Sequence, residues 1–411
     1  KIYMKLLHQL IAAKHQNQEQ VTREPVKNLN LSGAQPLKKN QSELPWFTQD
    51  MAKLSHFERL NQEIINYVKF ASLTYEEKLA RDDLILRVKK CCDQIIPGAD
   101  VHAYGSYASS LASYYSDIDI GVEIQTRQSQ VNMSRLTQLI SSTIGRAQYI
   151  QAKVPIIRGT CQKTLIDFDI SFSQQDETLT DVQNSLKCTE IERALILVIK
   201  AFLRQRGMHT PHTGGMSGHI LTQLIQCYTA NRAQCFPYKL QENLKFATSL
   251  MEFLELYGVL FNSKVCYIYR CPGQLEFRCR GDNIYYQVDG QNQLVVITNF
   301  QKLKDISGGV YNFRSIRLSF EVNYFYLLQR SSGESILNRL ISVDEFGRCT
   351  REKSVLVSQS LESSQADLSD KPESVVSEKE KDKSESQKDK DTLKVKSLLM
   401  GSYKKSRFDD L

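Results

Sequence analysis

Three short runs carry residue types that could do chemistry: Gly105-Ser106, then Ser116-Asp117-Ile118-Asp119, then Ile166-Asp167-Phe168-Asp169. From Asp117 to Ile124 the apolar residues Ile118, Ile120, Val122 and Ile124 alternate with the rest. A strand has a side-chain period of two, so Asp117 and Asp119 share the face opposite that apolar row. The second run repeats the arrangement, with Ile166, Phe168, Ile170 and Phe172 on one face and Asp167, Asp169 and Ser171 on the other. Several carboxylates therefore come together, and neither run contains a basic residue. Two carboxylates ~4 Å apart repel by roughly 4 kcal/mol at an effective dielectric near 20. A divalent cation removes that penalty, and Mg2+ is held by hard oxygen ligands together with substrate phosphates. Two such cations would activate an attacking hydroxyl and stabilise a departing pyrophosphate. One Asp-x-Asp alone reads better as a solvated edge strand. The Gly-Ser upstream and the second acidic strand downstream favour the metal site.

The elements that must position these residues are legible in outline. Leu54, Phe57, Leu60, Ile64, Ile65 and Val68 recur at helical spacing. Thr74-x-x-Glu77 reads as a capping box opening a second helix, which stops at Pro97-Gly98. Strand-like runs follow at Val101–Tyr104, Ile118–Ile124, Ala152–Ile157 and Leu165–Phe172, with a polar helix near Val131–Ala147. Thr189-x-x-Glu192 opens a long helix that ends at Gly207. The turn His212-Thr213-Gly214-Gly215 precedes another helix from about Ser217, and a helical pattern returns over 240–260. Between Val265 and Val296 the chain is strand-like, with Gly at 273, 281 and 290, which predicts a β-finger. Arg314 to about Ile341 completes a helical set.

Composition bounds the class. At 411 residues the chain has room for two domains and tails, and no apolar run approaches the ~18 residues of a membrane helix. The chain opens on Lys1 rather than Met, which leaves its true N-terminus open. A net charge of +7 is a modest signal for a polyanionic ligand. Ten Cys without a Cys-x-x-Cys read as reduced thiols in a reducing compartment. From Thr350 to Lys396 Ser, Lys, Glu and Asp dominate without one aromatic residue, which predicts disorder. Leu398–Leu411 regains apolar residues, as a short linear motif or a frayed end.

Taken together, Val101-His-Ala-Tyr-Gly-Ser-Tyr, Ser116-Asp-Ile-Asp, Lys153-Val-Pro-Ile-Ile, Phe168-Asp-Ile-Ser-Phe and Thr213-Gly-Gly-Met-Ser-Gly resemble a non-canonical poly(A) polymerase. Leu250-Met-Glu-Phe-Leu-Glu-Leu-Tyr-Gly and Asp305-Ile-Ser-Gly-Gly-Val-Tyr-Asn favour the topoisomerase-related (TRF) type. Its superfamily is that of the DNA polymerase β-like nucleotidyltransferases. The resemblance implies an α+β fold with a small nucleotidyltransferase α/β catalytic domain over 97–183. Beside it comes a mainly helical central domain over 184–345 bearing the β-finger, with helices of 44–96 packing on that central domain. Disordered segments over 1–43 and 346–411 flank them.

Such enzymes add AMP from ATP to RNA 3′ ends, using Mg2+, with Mn2+ as the other divalent candidate. By matching motifs, Asp117, Asp119 and Asp169 would be the metal-binding triad, with Asp169 polarising the attacking hydroxyl. Asp167 shares the strand face but falls outside the motif. Gly105, Ser106 and Ser116 would contact the triphosphate. Lys200 and Arg204, four apart on one helix face, would hold its charge. Asn184 matches a ribose-contacting position by spacing. At the base, Gly218 and His219 occupy the place of a stacking aromatic. Asn299, Lys302 and Asp305 occupy the reading loop, which lacks its usual Asp-Pro opening. ATP preference therefore comes from the family type, and a terminal uridylyltransferase or a catalytically silent RNA-processing scaffold remains a rival. No RNA-recognition motif, zinc knuckle or Arg-Gly-Gly repeat is present. The resemblance implies borrowed RNA grip, from a zinc-knuckle RNA-binding subunit with an RNA helicase in a TRAMP-like complex. It also implies RNA surveillance in the nucleus or nucleolus.

Overall fold

The computed structural model describes residues 44–123, 132–151, 155–173, 188–279, 294–299, 303–330 and 333–369. Helix α1 (His56–Ala71) opens on a Ser55/Glu58 capping box and buries Leu60, Ile64, Tyr67 and Ala71. Leu54 and Phe57, assigned to the same stripe by spacing, lie at the surface instead. Helix α2 (Tyr75–Ile95) opens on the expected box, with Glu77 N donating to Thr74 Oγ1 and Thr74 N to Glu77 Oε2.

A five-stranded sheet follows. Its elements are β1 (Asp100–Tyr104), the single-turn helix α3 (Gly105–Ala108), β2 (Ile118–Glu123), α4 (Met133–Thr143), β3 (Ala147–Ile150), β4 (Ile156–Thr160) and β5 (Asp167–Ser173). The strand order is β1-β2-β5-β4-β3, with β2 and β5 parallel and the other neighbours antiparallel. One face buries Ile118, Ile120, Val122, Phe168 and Ile170 under Leu84, Val88, Cys91 and Cys92 of α2 and Leu136 and Ile140 of α4. This is the apolar row that alternation predicts, and it turns the intervening carboxylates to the other face.

Three expectations need correcting here. The apolar stripe of helix α2 closes the core of the sheet instead of joining the core of the central helices. The polar helix expected to Ala147 ends at Thr143, and β3 follows it as a separate edge strand. The strand expected over 152–157 begins at Ile156 and runs on to Thr160, while 152–154 lie outside the described residues.

The central part is mainly helical. It comprises α5 (Glu190–Gln205), α6 (Gly218–Cys235), α7 (Lys245–Glu255), which continues as one π turn (Leu256–Leu260), and α8 (Phe313–Leu328). The Thr189/Glu192 box caps α5 as expected. These helices and α1 share one core that includes Trp46, Phe202, Leu224, Phe253 and Phe320. The β-finger is a four-stranded sheet of β6 (Cys266–Cys271), β7 (Gln274–Cys279), β8 (Val296–Asn299) and β9 (Leu303–Asp305), in the order β7-β6-β8-β9. Gly273 makes its hairpin turn with φ at +75°, whereas Gly281 and Gly290 lie outside the described residues.

The expectation of disorder from 346 fails over its first part. Helix α9 runs over Glu345–Ser369 and buries Thr350, Ser354 and Ser358. One compact unit extends to Leu361; from Glu362 the described residues are the last turns of this helix. None of the ten cysteines is in a disulfide. Among the described residues no helix is long and apolar enough to cross a membrane.

Candidate active site

The polar face of the five-stranded sheet brings the predicted carboxylates into line. Asp119 on β2 pairs directly with Asp169 on β5 in parallel register, and Tyr104 on β1 pairs with Asp119 from the other side. Directly opposed residues share a face, so Asp119 and Asp169 are immediate neighbours. Asp117 stands exposed just before β2, while Asp119 and Asp169 are half-buried. Asp167 is exposed and accepts from Thr160 Oγ1 at 2.6 Å.

Electrostatics follows from this crowding. Burial, and then Asp117 and Asp169 beside it, pushes the Asp119 carboxyl up to about 7, against the pull of Lys200. Lys200 projects from α5 and donates to Ser116 Oγ at 3.2 Å. Burial lowers its ammonium pKa, while Asp117 and Asp119 act in the opposite sense. Carboxylates crowded in this way suit a divalent cation, and their oxygens are the hard donors that Mg2+ and Mn2+ take. No group of three acidic, His or Cys side chains among the described residues forms a ready-made metal cage. Mg2+ sites of this kind use one or two carboxylates plus substrate phosphates, so a closed cage is not required.

Gly105 lies against this row. Its φ is +65°, and a Cβ there would sit 2.2 Å from Asp119 Oδ2. Conformation and space thus both demand glycine. Gly105→Ala should displace the Asp119 carboxylate and cut the nucleotide transfer expected from the sequence by about a hundredfold, a loss on the scale of a ~1 Å misplacement at a reacting centre. Steady-state extension rates check this, and a rate within twofold of wild type would show that Asp119 is not held there. Ser106 follows it as the second residue of α3, partly exposed.

Two predicted phosphate contacts have other partners. Ser116 is buried; its Oγ accepts from Ser113 N at 3.0 Å and receives the Lys200 ammonium. It positions Lys200 rather than facing open solvent. Arg204 stands one turn beyond Lys200, where its Nε meets Asp344 Oδ2 at 3.2 Å and its guanidinium lies 5.1 Å from the Tyr115 ring centre. The one-turn rise along α5 carries it off the carboxylate row to the segment that leads into α9.

The Thr213-Gly-Gly turn leads into α6. Gly214 has φ at +81°, and a Cβ there would meet the Tyr311 ring at 2.6 Å. The Tyr311 hydroxyl donates to His212 O at 2.9 Å. Gly218 is exposed, and His219 is half-buried at the start of α6. Burial, then the nearby Arg270, lowers the His219 pKa, which keeps the imidazole neutral near pH 7. Arg270 is itself held by the Gln223 and Gln226 side-chain oxygens at 2.7 and 2.6 Å. The predicted reading loop is only partly described. Asn299 ends β8, Asp305 ends β9 and accepts from Ser307 N at 2.8 Å, and Lys302 and Asn184 lie outside the described residues.

Sequence reasoning missed Arg158, the cross-strand partner of Asp169. Its Nε and a terminal guanidinium nitrogen donate to Asp169 Oδ1 and Oδ2 at 2.8 and 2.7 Å. Alternation was the available signal, because Ile157 and Gly159 flank it facing inward. It also missed the support behind the row. Arg81, fully buried, donates to the Ser116 and Tyr114 carbonyls at 3.1 and 3.5 Å, directly before Asp117.

Residues 60–178 match the family model of the central palm domain of mitochondrial-like poly(A) RNA polymerase. The chain is 28% identical over 287 residues to poly(A) RNA polymerase CID14 of Cryptococcus neoformans, covering 66% of this chain and 36% of that protein. It is 26% identical over 299 residues to poly(A) RNA polymerase protein 2 of Saccharomyces cerevisiae, covering 70% and 51%. It spans about a third to a half of the length of these curated relatives. The fold matches the polymerase core of TRAMP, an RNA surveillance complex, with a TM-score of 0.63 and 24% identity over 74% of this chain and all of that one. With the paired acidic strands, the Gly-Ser turn and the Thr-Gly-Gly turn in these places, the chain is similar to these poly(A) RNA polymerases over its palm domain and shares the fold of the TRAMP polymerase core.

Proposed function

We propose that this chain is an RNA 3′-terminal adenylyltransferase, adding AMP from ATP, that serves nuclear RNA surveillance. The observation that carries this reading is the direct register of Asp119 with Asp169 beside the Gly105 turn. Asp117, Asp119 and Asp169 would hold divalent metal, Mg2+ or Mn2+, which when bound supplies charge for the triphosphate and lowers the pKa of the attacking hydroxyl. Asp169, at the side of the row away from Gly105, orients the RNA 3′ hydroxyl and assists removal of its proton. Gly105 and Ser106 lie where the triphosphate approaches the row, and Lys200 adds a positive charge there. The 3′ oxygen forms a bond to the α-phosphorus as the bond to pyrophosphate breaks in line. The neutral His219 imidazole stacks on the base.

Grip on the RNA comes from a partner, a zinc-knuckle RNA-binding subunit acting with a helicase in a TRAMP-like complex. The test is extension of a short RNA with each of the four nucleotides, with and without Mg2+, and with and without such a subunit. ATP should extend the RNA best, only with metal, and to longer products when the subunit is present. A UTP preference would make the protein a terminal uridylyltransferase. RNA binding without extension by any nucleotide would make it a silent scaffold. No gain from the subunit would remove the partnership.

A further inference from the structure

We propose that Arg158 is a positioning residue that holds Asp169 in the metal-free site and must let go before a divalent cation completes the site. The inference rests on the metal-dependent reading above. Arg158 and Asp169 are directly opposed on antiparallel strands, and the guanidinium fork occupies both carboxylate oxygens at 2.8 and 2.7 Å. The match is planar and two-pronged, which an ammonium cannot reproduce.

The two ends of this pair differ in freedom. Asp169 sits on the middle strand of the sheet with its side chain 21% exposed, while the Arg158 side chain is 57% exposed. β4 is pressed against β5, since a Cβ on Gly159 would stand 2.4 Å from the Phe168 ring. The backbone at Arg158 is thus held in register while its long side chain can swing into solvent. The carboxylate cannot follow it. The fork thus ties Asp169 to its neighbour on β4 while it stays beside Asp119 in register. A cation that takes Asp169 has to displace Arg158 from at least one oxygen. Lys200 meets the row from elsewhere, tied to Ser116.

Mn2+ binding to the full chain, without nucleotide, followed by the electron paramagnetic resonance of the free ion, tests this. Arg158→Ala should bind Mn2+ about three- to tenfold more tightly, the scale of a largely solvent-exposed charge-assisted pair. Arg158→Lys should show part of that gain, because the charge remains but the fork is lost. Asp169→Ala should weaken binding, and adding Arg158→Ala to it should restore nothing. Circular dichroism and melting temperature establish that each variant is folded. An unchanged dissociation constant in Arg158→Ala overturns the assignment. So does a gain that persists in the Asp169→Ala background, since that would be a general charge effect. If wild type binds Mn2+ and tails RNA while the two sites do not couple, Arg158 alone is misassigned. If wild type neither binds Mn2+ nor tails RNA, the metal-dependent reading falls with it.

Discussion

Replacing Asp117 and Asp119 together by Ala is expected to abolish RNA tailing and to raise the melting temperature of the metal-free protein. The first effect follows from the loss of two of the three carboxylates proposed to hold the metal. Metal stabilisation of transition-state charge is worth several kcal/mol, so a loss of ~4 kcal/mol slows extension by about three orders of magnitude. The second follows from repulsion. Burial and the neighbouring Asp117 and Asp169 raise the folded-state pKa of Asp119 to about 7, well above the unfolded carboxylate value. The folded protein therefore binds more protons than the unfolded one between about pH 4 and pH 7. Stability is highest below that window and is lost as pH rises through it, to an extent on the order of a few kcal/mol for a partly open site. Without metal, wild type should melt progressively lower from pH 5 to pH 7.5, and Asp119→Asn should flatten that dependence. Mg2+ should recover the lost stability in wild type and not in the double variant. Extension gels and melting curves in chelator and in Mg2+ decide both points. A double variant that still tails RNA, or that melts lower than wild type in chelator, would mean that the row is not the metal site.

How much of this was legible can be read residue by residue. Alternation alone assigned Asp117, Asp119, Asp167 and Asp169 to polar faces, because period two is a local property of a strand. The Phe168-Asp-Ile-Ser-Phe motif singles out Asp169 over Asp167, and the register places Asp169 directly beside Asp119. Arg158 escaped because the expected strand ended one residue short of it, so no face was assigned to it. Helix α2 was recognised from its cap, but its stripe of Leu84, Val88, Cys91 and Cys92 could close either of two cores. Spacing correctly set Lys200 and Arg204 on one side of α5. It could not show that Asp344, 140 residues away, would claim the second. Composition misread α9 for a similar reason. Its sequence lacks strong apolar periodicity, and what holds it are contacts with distant elements. Gly347 packs so closely that a Cβ would stand 2.7 Å from the Tyr114 ring, and Asp344 N donates to the Tyr114 hydroxyl at 3.0 Å.

Those contacts make Arg351 on α9 the residue whose loss should damage the protein most without touching substrate. Its guanidinium forms a forked pair with Glu77, at 2.9 Å to Oε1 and 3.0 Å to Oε2, and Glu77 is completely buried. It also donates to the Phe70 and Ser72 carbonyls at 2.9 and 3.1 Å and lies 4.8 Å from the Tyr114 ring centre. Arg351→Ala would leave the buried Glu77 carboxylate with Thr74 N and the neighbouring Arg81 in place of its forked partner, a loss toward the lower end of the ~3–5 kcal/mol of a broken buried pair. Arg81, which shares Glu77 as neighbour, is the residue that holds the Ser116 carbonyl next to Asp117. The damage should therefore spread along a short physical path, from α9 through Glu77 and Arg81 to the carboxylate row. The variant should melt several degrees lower, expose α9 to protease, and lose about tenfold in kcat. Arg351→Lys should recover only part, since one ammonium cannot replace the fork and the two carbonyl bonds together. A merely loosened helix would change proteolysis and melting but leave kcat as it was. Unchanged kcat in a folded Arg351→Ala protein would sever α9 from the active site, and an unchanged melting temperature would deny the buried pair its role altogether.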